Sequence, residues 1–289
     1  MKILVTGAYG QLGSEIKVIS IQFPNWQFLF TDVDSLDITS EKDVEQFIKE
    51  TQPDFLINCA AYTAVDKAET DAEIAAKINA VAPGILAKAA KNISAKFIHI
   101  STDYVFSGEA FLPLTETDEV NPTGIYGKAK LAGEQNCLKE NQDSIIIRTS
   151  WLYSTFGNNF VKTILRLGKE RESLKVVYDQ VGSPTYAADL AKAILDIIKH
   201  SEKEPGKFVP GIYHYSNEGA ISWFDFSKAI FEIAGINCVV HPVLSEEFPS
   251  PAKRPNYSVF NKSKIKNTFG LQILYWRDSL KVCIEKMTK

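Results

Sequence analysis

The sequence predicts an α/β fold in which a doubly wound parallel sheet carries helices on both faces, with a smaller C-terminal lobe. Short apolar runs alternate with helical patterns five times in the first 150 residues, which is typical of such sheets. A glycine-rich turn directly follows the first apolar run. With 289 residues, 45% of them hydrophobic, the chain is long enough for one large α/β domain and a smaller lobe.

Five strands are predicted in the first half, at residues 2–6, 28–30, 54–58, 96–100 and 144–148. Helical patterns occupy residues 10–22, about 40–50, 66–92 and a stretch that opens near Tyr126. Ser40 is a typical N-cap, and the acidic residues Glu41 and Asp43 follow it in the first turn, where the helix dipole favours them. Pro83 is expected to interrupt or kink the long 66–92 stretch.

The second half has a looser pattern. Helices are predicted at residues 158–171, 187–200, 222–234, 262–269 and 276–287, and extended segments at 174–178, 211–215 and 238–243. The charged segment 201–210, which contains two prolines and a glycine, is expected to be a surface loop. We expect residues 187–215 to complete the sheet that residues 1–150 begin, and residues 151–186 and 216–289 to form the smaller lobe.

The composition excludes several classes of partner. A net charge of −3 with scattered Lys and Arg does not favour a nucleic-acid backbone or an anionic membrane. No stretch approaches the ~20 apolar residues of a membrane span, and Thr6 and Gly7 end the first apolar run, so no signal peptide is expected. Widely spaced cysteines indicate reduced thiols: Cys59, Cys137, Cys238 and Cys283. We therefore expect a cytoplasmic protein, monomeric or homodimeric, with no nucleic-acid or membrane partner.

The turn after the first strand is typical of a dinucleotide site. Gly7, Gly10 and Gly13 lie between strand and helix, where glycine lets the backbone approach a pyrophosphate and the helix N-terminus presents free N–H groups. Asp32 follows about 20 residues later, where a carboxylate can bond the ribose hydroxyls and favours NAD over NADP. Asp37 and Ile38 could flank the adenine. Residues 1–150 are therefore predicted to be a Rossmann domain for NADH or NADPH, and the choice between the two stays open.

Tyr126 and Lys130 form a candidate catalytic pair. Their four-residue spacing puts them on one face of a helix. An ammonium near a phenol should lower the phenol pKa from about 10 toward working pH, so that Tyr126 could donate a proton to a ketone oxygen. Lys130 could also hold the nicotinamide ribose. Ser101 and Thr102 follow the fourth strand at the carboxyl edge of the sheet, where a hydroxyl could bond both the substrate and the tyrosine.

Longer motifs extend this pattern along nearly the whole chain. They are residues 58–69 (NCAAYTAVDKAE), 101–106 (STDYVF), 126–134 (YGKAKLAGE), 148–153 (RTSWLY), 179–185 (DQVGSPT) and 254–258 (RPNYS). The chain thereby resembles the dTDP-4-dehydrorhamnose reductase family, within the extended short-chain dehydrogenases/reductases. That resemblance implies a Thr102–Tyr126–Lys130 triad and a sugar-nucleotide-binding C-terminal lobe. It also implies NAD(P)H-dependent reduction of the 4-keto group of dTDP-6-deoxy-L-lyxo-4-hexulose to dTDP-L-rhamnose, a precursor of polysaccharides.

The resemblance also implies roles for individual residues. Gly10, Gln11 and Leu12 should meet the pyrophosphate, and Ala61, Tyr62 and Thr63 the nicotinamide side. The residues expected at the sugar are Val65, Thr102, Asp103, Tyr104, Tyr126 and Trp151. Trp151 follows the fifth strand, so its ring is predicted either in the pocket wall or in the core. Arg254 is either a partner of the diphosphate or a surface arginine.

Some members of the family dimerise around Mg²⁺ held by glutamates. Glu15 matches one such position, but Asp189 stands at the second, and the terminal Lys-Met-Thr-Lys lacks the third acidic residue. The metal-linked dimer is therefore not favoured, and Glu15 is interpreted as a solvated charge on an exposed helix face, with a role as a Mg²⁺ ligand as the alternative.

Three other functions are compatible with parts of the pattern. The related 4,6-dehydratases typically carry Thr-Asp-Glu after the fourth strand, whereas here Asp103 precedes Tyr104, so their catalytic base is missing. A relative of the family is a non-catalytic regulatory subunit of a methionine adenosyltransferase, and the complete triad argues against that role. Reduction of another nucleotide-linked 4-keto-6-deoxy sugar stays open.

Overall fold

Strands and helices alternate along the chain, and a computed structural model describes residues 1–288 of it. The strands are β1 (Lys2–Thr6), β2 (Gln27–Thr31), β3 (Phe55–Asn58), β4 (Lys96–Thr102), β5 (Ile145–Thr149), β6 (Leu152–Tyr153), β7 (Ser173–Val177), β8 (Val181–Gly182), β9 (Thr185–Tyr186), β10 (Gly211–Tyr215), β11 (Ile221–Ser222) and β12 (Val239–Val243). The helices are α1 (Gln11–Ser20), α2 (Glu41–Thr51), α3 (Val65–Ala68), α4 (Ala72–Ala76), α5 (Ala82–Asn92), α6 (Ile125–Glu140), α7 (Phe160–Glu170), α8 (Ala187–Lys203), α9 (Trp223–Ala234), α10 (Ser263–Phe269) and α11 (Trp276–Thr288).

Six strands form the central sheet in the order β10-β5-β4-β3-β1-β2, and every neighbouring pair is parallel. The predicted α/β fold with a parallel sheet is therefore confirmed. Strand order reverses at β1, whose neighbours are β2 and β3. In sheets of this kind ligands bind beyond the carboxyl ends of the strands at that reversal.

Side chains of the strands alternate between the two covered faces. Ile3 and Val5 of β1 pack with α1 and α8 on one face, whereas Leu4 packs with α2 and α5 on the other. This burial on both faces explains why the central strands are continuous apolar runs rather than alternating ones. Of the described helices, none is long and apolar enough to cross a membrane.

The predicted helical stretch 66–92 is broken into several pieces. A π-helical turn at Lys77–Val81 joins α4 to α5, and Pro83 lies in the first turn of α5, where its missing N–H costs little. The interruption therefore precedes Pro83. The segment 201–210 also differs from the predicted loop, because α8 runs to Lys203 and a 3₁₀ turn follows at Pro205–Lys207.

A separate apolar cluster lies in the second half of the chain. It joins α7, α9 and α11 with β7 and β12, which pair in parallel. β10 instead adds to the central sheet beside β5, and α8 packs on α1. The predicted boundaries between Rossmann domain and lobe stay predictions.

Candidate active site

A cavity of about 950 Å³ lies at the carboxyl ends of the central strands. Its volume suits a cofactor or small ligand. The predicted site residues that line it are Gly7, Gly10, Gln11, Leu12, Asp32, Asp37, Ile38, Ala61, Thr63, Val65, Thr102, Asp103, Tyr104, Tyr126, Lys130 and Trp151. Gly13, Tyr62 and Arg254 are not among its lining residues.

The glycine turn after β1 is shaped by close backbone approaches. Gly7 has a φ of +68°, and a Cβ there would lie 2.5 Å from the backbone N of Ala60. A Cβ on Gly13 would lie 2.6 Å from Ala8 Cα, so Gly13 seats the helix on the turn rather than facing the cavity. No side chain caps α1 at Gly10. The start of the helix, at Gly10, Gln11 and Leu12, lines the cavity, and the free N–H groups that a helix N-terminus presents fit a diphosphate there.

Asp32 stands at the end of β2 with its carboxylate held by backbone groups. Its Oδ2 accepts from Tyr9 N at 2.8 Å and its Oδ1 from Val33 N at 2.9 Å. Asp37 lies further along the same cavity edge and accepts from the Thr39 hydroxyl at 2.7 Å. Residues 31–40 contain no Lys or Arg.

Two predicted residues lie just outside the cavity. The backbone of Tyr62 is fixed by Asn79, which accepts from Tyr62 N and donates to Tyr62 O, each at 2.9 Å. The Tyr62 hydroxyl donates to Asp71 at 2.8 Å. Arg254 is neither free on the surface nor in the cavity, because its Nη2 pairs with Asp66 Oδ2 at 2.9 Å.

The predicted triad lies on two adjacent elements. Tyr126 and Lys130 are on α6, which packs on β4, and Thr102 ends that strand. All three are buried, Lys130 to 2% exposure. The neighbouring Ser101 hydroxyl donates to Glu134 instead. Thr102 donates to Asp103 Oδ1 at 3.0 Å, which aligns its hydroxyl at the cavity.

The predicted effect of Lys130 on Tyr126 is wrong. Burial raises the pKa of Tyr126 to about 12, because a desolvated phenolate is unfavourable, and the side-chain contact with Thr102 offsets only part of this. Lys130 Nζ donates to Ile100 O at 2.6 Å and lies 3.4 Å from His99 Nε2. Burial in turn lowers the pKa of Lys130 to about 8.

A buried ion pair supports this end of the cavity. Glu134 Oε2 accepts from Arg148 Nη2 at 2.7 Å, with both side chains no more than 3% exposed. Arg148 also lies over the Phe106 ring, with its Cζ 5.1 Å from the ring centroid. The pair bonds β5 to α6 and thereby fixes the helix that carries Tyr126 and Lys130.

Trp151 lies in the cavity wall, the first of its two predicted positions. It adopts a φ of +48°, unusual for a bulky residue. Its indole stacks on Trp223 of α9 with ring centroids 3.5 Å apart and planes within 6°. The stack joins the end of the central sheet to the second half of the chain.

Family comparisons agree with this geometry. The family model described as the RmlD substrate binding domain matches residues 1–289. The chain belongs to the RmlD family. A dTDP-4-dehydrorhamnose reductase of Aggregatibacter actinomycetemcomitans is 40% identical, with 97% of each chain covered. The spore coat polysaccharide biosynthesis protein SpsK of Bacillus subtilis is 38% identical over 99% of this chain and 97% of that protein.

Solved structures of RmlD-family relatives superpose along the full chain. The crystal structure of a dTDP-4-dehydrorhamnose reductase from Clostridium acetobutylicum has a TM-score of 0.94 and 47% identity, with 100% of both chains covered. That of the enzyme from Bacillus anthracis, in complex with NADP, has a TM-score of 0.92 and 41% identity, with 99% of both covered.

Glu15 of this RmlD-family chain is not solvated, contrary to the expectation from sequence. It is 2% exposed and accepts from Ser154 Oγ at 2.7 Å, because α1 lies here against the segment after β6. Asp189 instead accepts from Asn217 Nδ2 at 2.7 Å and from Ser279. Among residues 1–288 no group of three His, Cys, Asp or Glu could hold a metal; Lys289 of the terminal tetrapeptide lies outside the described residues.

Sequence reasoning missed several polar residues of the site. Asn58 and His99 are fully buried behind Lys130, and Asn159 Nδ2 donates to Gln11 at 3.0 Å. Trp223 belongs to the cavity wall although it is far from the other motifs. The one signal available in the sequence was His99, a polar residue inside an apolar strand. A buried polar residue requires a hydrogen-bond partner, so a further polar side chain was to be expected beside it.

Proposed function

We propose that this chain reduces the 4-keto group of dTDP-6-deoxy-L-lyxo-4-hexulose, also called dTDP-4-dehydro-L-rhamnose, with NADPH or NADH to give dTDP-L-rhamnose. The relatives from Aggregatibacter and Clostridium carry the name of that activity. The observation that carries the proposal is one cavity that holds both the glycine turn and the Thr102, Tyr126 and Lys130 side chains. Cofactor and reacting carbonyl would therefore meet beyond the carboxyl ends of β1, β3 and β4.

Tyr126 is proposed as the proton donor. The reduced nicotinamide supplies the hydride to C4 of the sugar when it is bound. Because burial raises the pKa of Tyr126 to about 12, its hydroxyl is protonated at neutral pH, as a proton donor must be. Thr102 is proposed to orient the C4 oxygen beside it, and Lys130 to hold the nicotinamide ribose.

The remaining assignments follow from placement in the cavity. The backbone of Gly10 and the N–H groups of Gln11 and Leu12 are proposed at the diphosphate of the cofactor, and Asp32 at the adenosine ribose. Trp151, Tyr104 and Val65 are proposed at the sugar. Arg254 could reach a substrate phosphate only after its ion pair with Asp66 opens.

The domain boundaries and the cellular compartment are proposed on separate grounds. Pairing of β10 with β5 supports a Rossmann domain of residues 1–150 and 187–215, with residues 151–186 and 216–289 as the sugar-nucleotide lobe. Four free thiols support a reducing compartment, the cytoplasm.

One assay tests the reaction. The purified protein is supplied with the 4-keto-L-lyxo sugar nucleotide and either NADPH or NADH, and both the loss of reduced cofactor and the sugar product are measured. We expect stoichiometric formation of dTDP-L-rhamnose. No turnover with either cofactor would overturn the proposal, and faster turnover of another 4-keto-6-deoxy sugar nucleotide would reassign the substrate.

A further inference from the structure

A line of buried polar side chains runs behind the cavity from β1 to Lys130. It consists of Thr6, Asn58, His99 and Lys130, each at most 2% exposed. The line spans three adjacent strands and ends on the helix that carries Tyr126. Nothing in the proposed reaction uses Asn58 or His99 directly.

The orientation of the Asn58 amide is fixed by its neighbours. The backbone N–H of Ala60 donates to Asn58 Oδ1 at 3.1 Å, and the Thr6 hydroxyl donates to the same atom at 2.8 Å. A backbone N–H can only donate, so this amide atom must be the oxygen. The amide nitrogen of Asn58 therefore faces His99 Nδ1, 3.1 Å away.

That orientation determines the tautomer of His99. An amide nitrogen can only donate, so His99 Nδ1 must accept and carries no proton. Burial lowers the pKa of His99 well below its ordinary value, so the ring is neutral. Its single proton is on Nε2, which lies 3.4 Å from Lys130 Nζ.

Only the neutral form of Lys130 completes this line. An ammonium has three donors and no lone pair, so it would oppose the Nε2 proton of His99. A neutral amine accepts from His99 Nε2 and still donates to Ile100 O at 2.6 Å. Each contact along the line then pairs one donor with one acceptor.

We propose that His99 of β4 is a positioning residue that stabilises the neutral amine of Lys130, so that Lys130 takes up a proton and separates from His99 when cofactor binds. The proton comes from solvent and binds Nζ, and the bond from His99 Nε2 is lost. This inference rests on the proposed function, since it takes the cavity as a site for NAD(P)H, whose diphosphate anion favours an ammonium nearby.

Among the titratable groups that surround Lys130, Lys130 is the one whose pKa lies in the neutral to alkaline range. On α6, Glu134 is paired with Arg148, burial raises the pKa of the Cys137 thiol, and Tyr126 has a pKa of about 12. Burial likewise raises the pKa of Cys59, after β3. Lys130 itself has a pKa of about 8.

The sign of the pH dependence follows from linkage. Cofactor binding favours the ammonium and so raises the pKa of Lys130 above about 8. Affinity for NAD(P)H should be constant below that pH and fall by up to about tenfold per pH unit above it. Up to one proton should be taken up per cofactor bound in that range.

Titration calorimetry of NADH and NADPH binding tests this without turnover. Affinity and proton uptake are measured at several pH values in two buffers that differ in ionisation enthalpy. In His99→Leu the neutral amine loses its donor, so the fall in affinity should begin about one pH unit higher, a tenfold change in the protonation equilibrium. The control is His241→Leu, at an exposed position on β12, which should keep the wild-type profile.

Each outcome decides a separate point. Affinity independent of pH with no proton uptake in the wild type overturns the inference, and an unchanged onset in folded His99→Leu removes His99 from it. If His99→Leu does not fold, His99→Gln replaces it, because a side-chain amide can turn its oxygen to an ammonium and should also move the onset upward. Absence of cofactor binding at every pH would instead overturn the proposed function.

Discussion

The two ends of the cavity are built from different parts of the chain. At the glycine end the shape comes from backbone, since Gly7 and Gly13 let main-chain atoms approach closely. At the catalytic end it comes from buried ionisable side chains, among them Lys130 and the Glu134–Arg148 pair. Backbone geometry tolerates changes of pH, whereas the protonation of buried groups depends on each neighbour. Substitutions that add bulk should therefore disturb the glycine end most, and substitutions that change charge should disturb the catalytic end most.

The largest effect should come from Tyr126→Phe. If the phenol donates the proton, removing its hydroxyl should lower kcat by about 10²–10⁴-fold and leave cofactor affinity unchanged. Steady-state kinetics and calorimetry measure the two quantities. Tyr178→Phe, at a residue 48% exposed, is the control and should keep full turnover. Equal loss of cofactor affinity in Tyr126→Phe would mean that the two ends do not act separately.

Glu134→Gln should be the most destabilising change of charge. It leaves Arg148 buried without its counter-ion, at a cost of about 3–5 kcal/mol in the free energy of unfolding. Urea denaturation measures it. Glu170→Gln removes an exposed partner of Arg166 and should cost less than about 1 kcal/mol. A similar small cost for both variants would show that the catalytic end does not depend on its buried charges.

Gly13→Ala tests the steric end. The added Cβ would lie 2.6 Å from Ala8 Cα, so the turn must shift, and we expect a loss of about 1–3 kcal/mol together with weaker cofactor binding. Thermal unfolding and calorimetry measure both. Gly206→Ala has no heavy atom within 4 Å of its new Cβ and should leave both unchanged. Wild-type affinity in Gly13→Ala would contradict the role of close backbone approach.

The smallest effect concerns Asp103, where charge and stability are linked. Burial raises its pKa to about 6, so the folded state binds this proton more tightly than the unfolded chain. Its contribution to stability therefore falls as pH rises from about 4 to about 6. Asp103→Asn should remove that slope and so gain stability relative to the wild type as pH rises from about 4 to about 6, seen as a pH-dependent difference in Tm. The exposed Asp143→Asn should give no such difference.

The two ends also differ in how far the sequence predicted them. The strands, the glycine turn and the spacing of Tyr126 and Lys130 depend on residues near each other in the chain, and these predictions agree with the fold. The direction of Lys130 depends on His99, 31 positions away, and the burial of Glu15 depends on Ser154, 139 positions away. Periodicity does not specify such contacts, so the pKa of Tyr126 and the environment of Glu15 were predicted wrongly.

The stacked indoles of Trp151 and Trp223 give the protein an optical property. They are two of its four tryptophans, and at a centroid separation of 3.5 Å their excited states are coupled. Both rings border the cavity, and reduced nicotinamide absorbs where indole emits. Arrival of the cofactor should therefore quench the intrinsic fluorescence by energy transfer. Binding of a sugar that separates the two indole rings should change the emission through their coupling and not through energy transfer. Cofactor binding and sugar binding can therefore be followed separately in unlabelled protein.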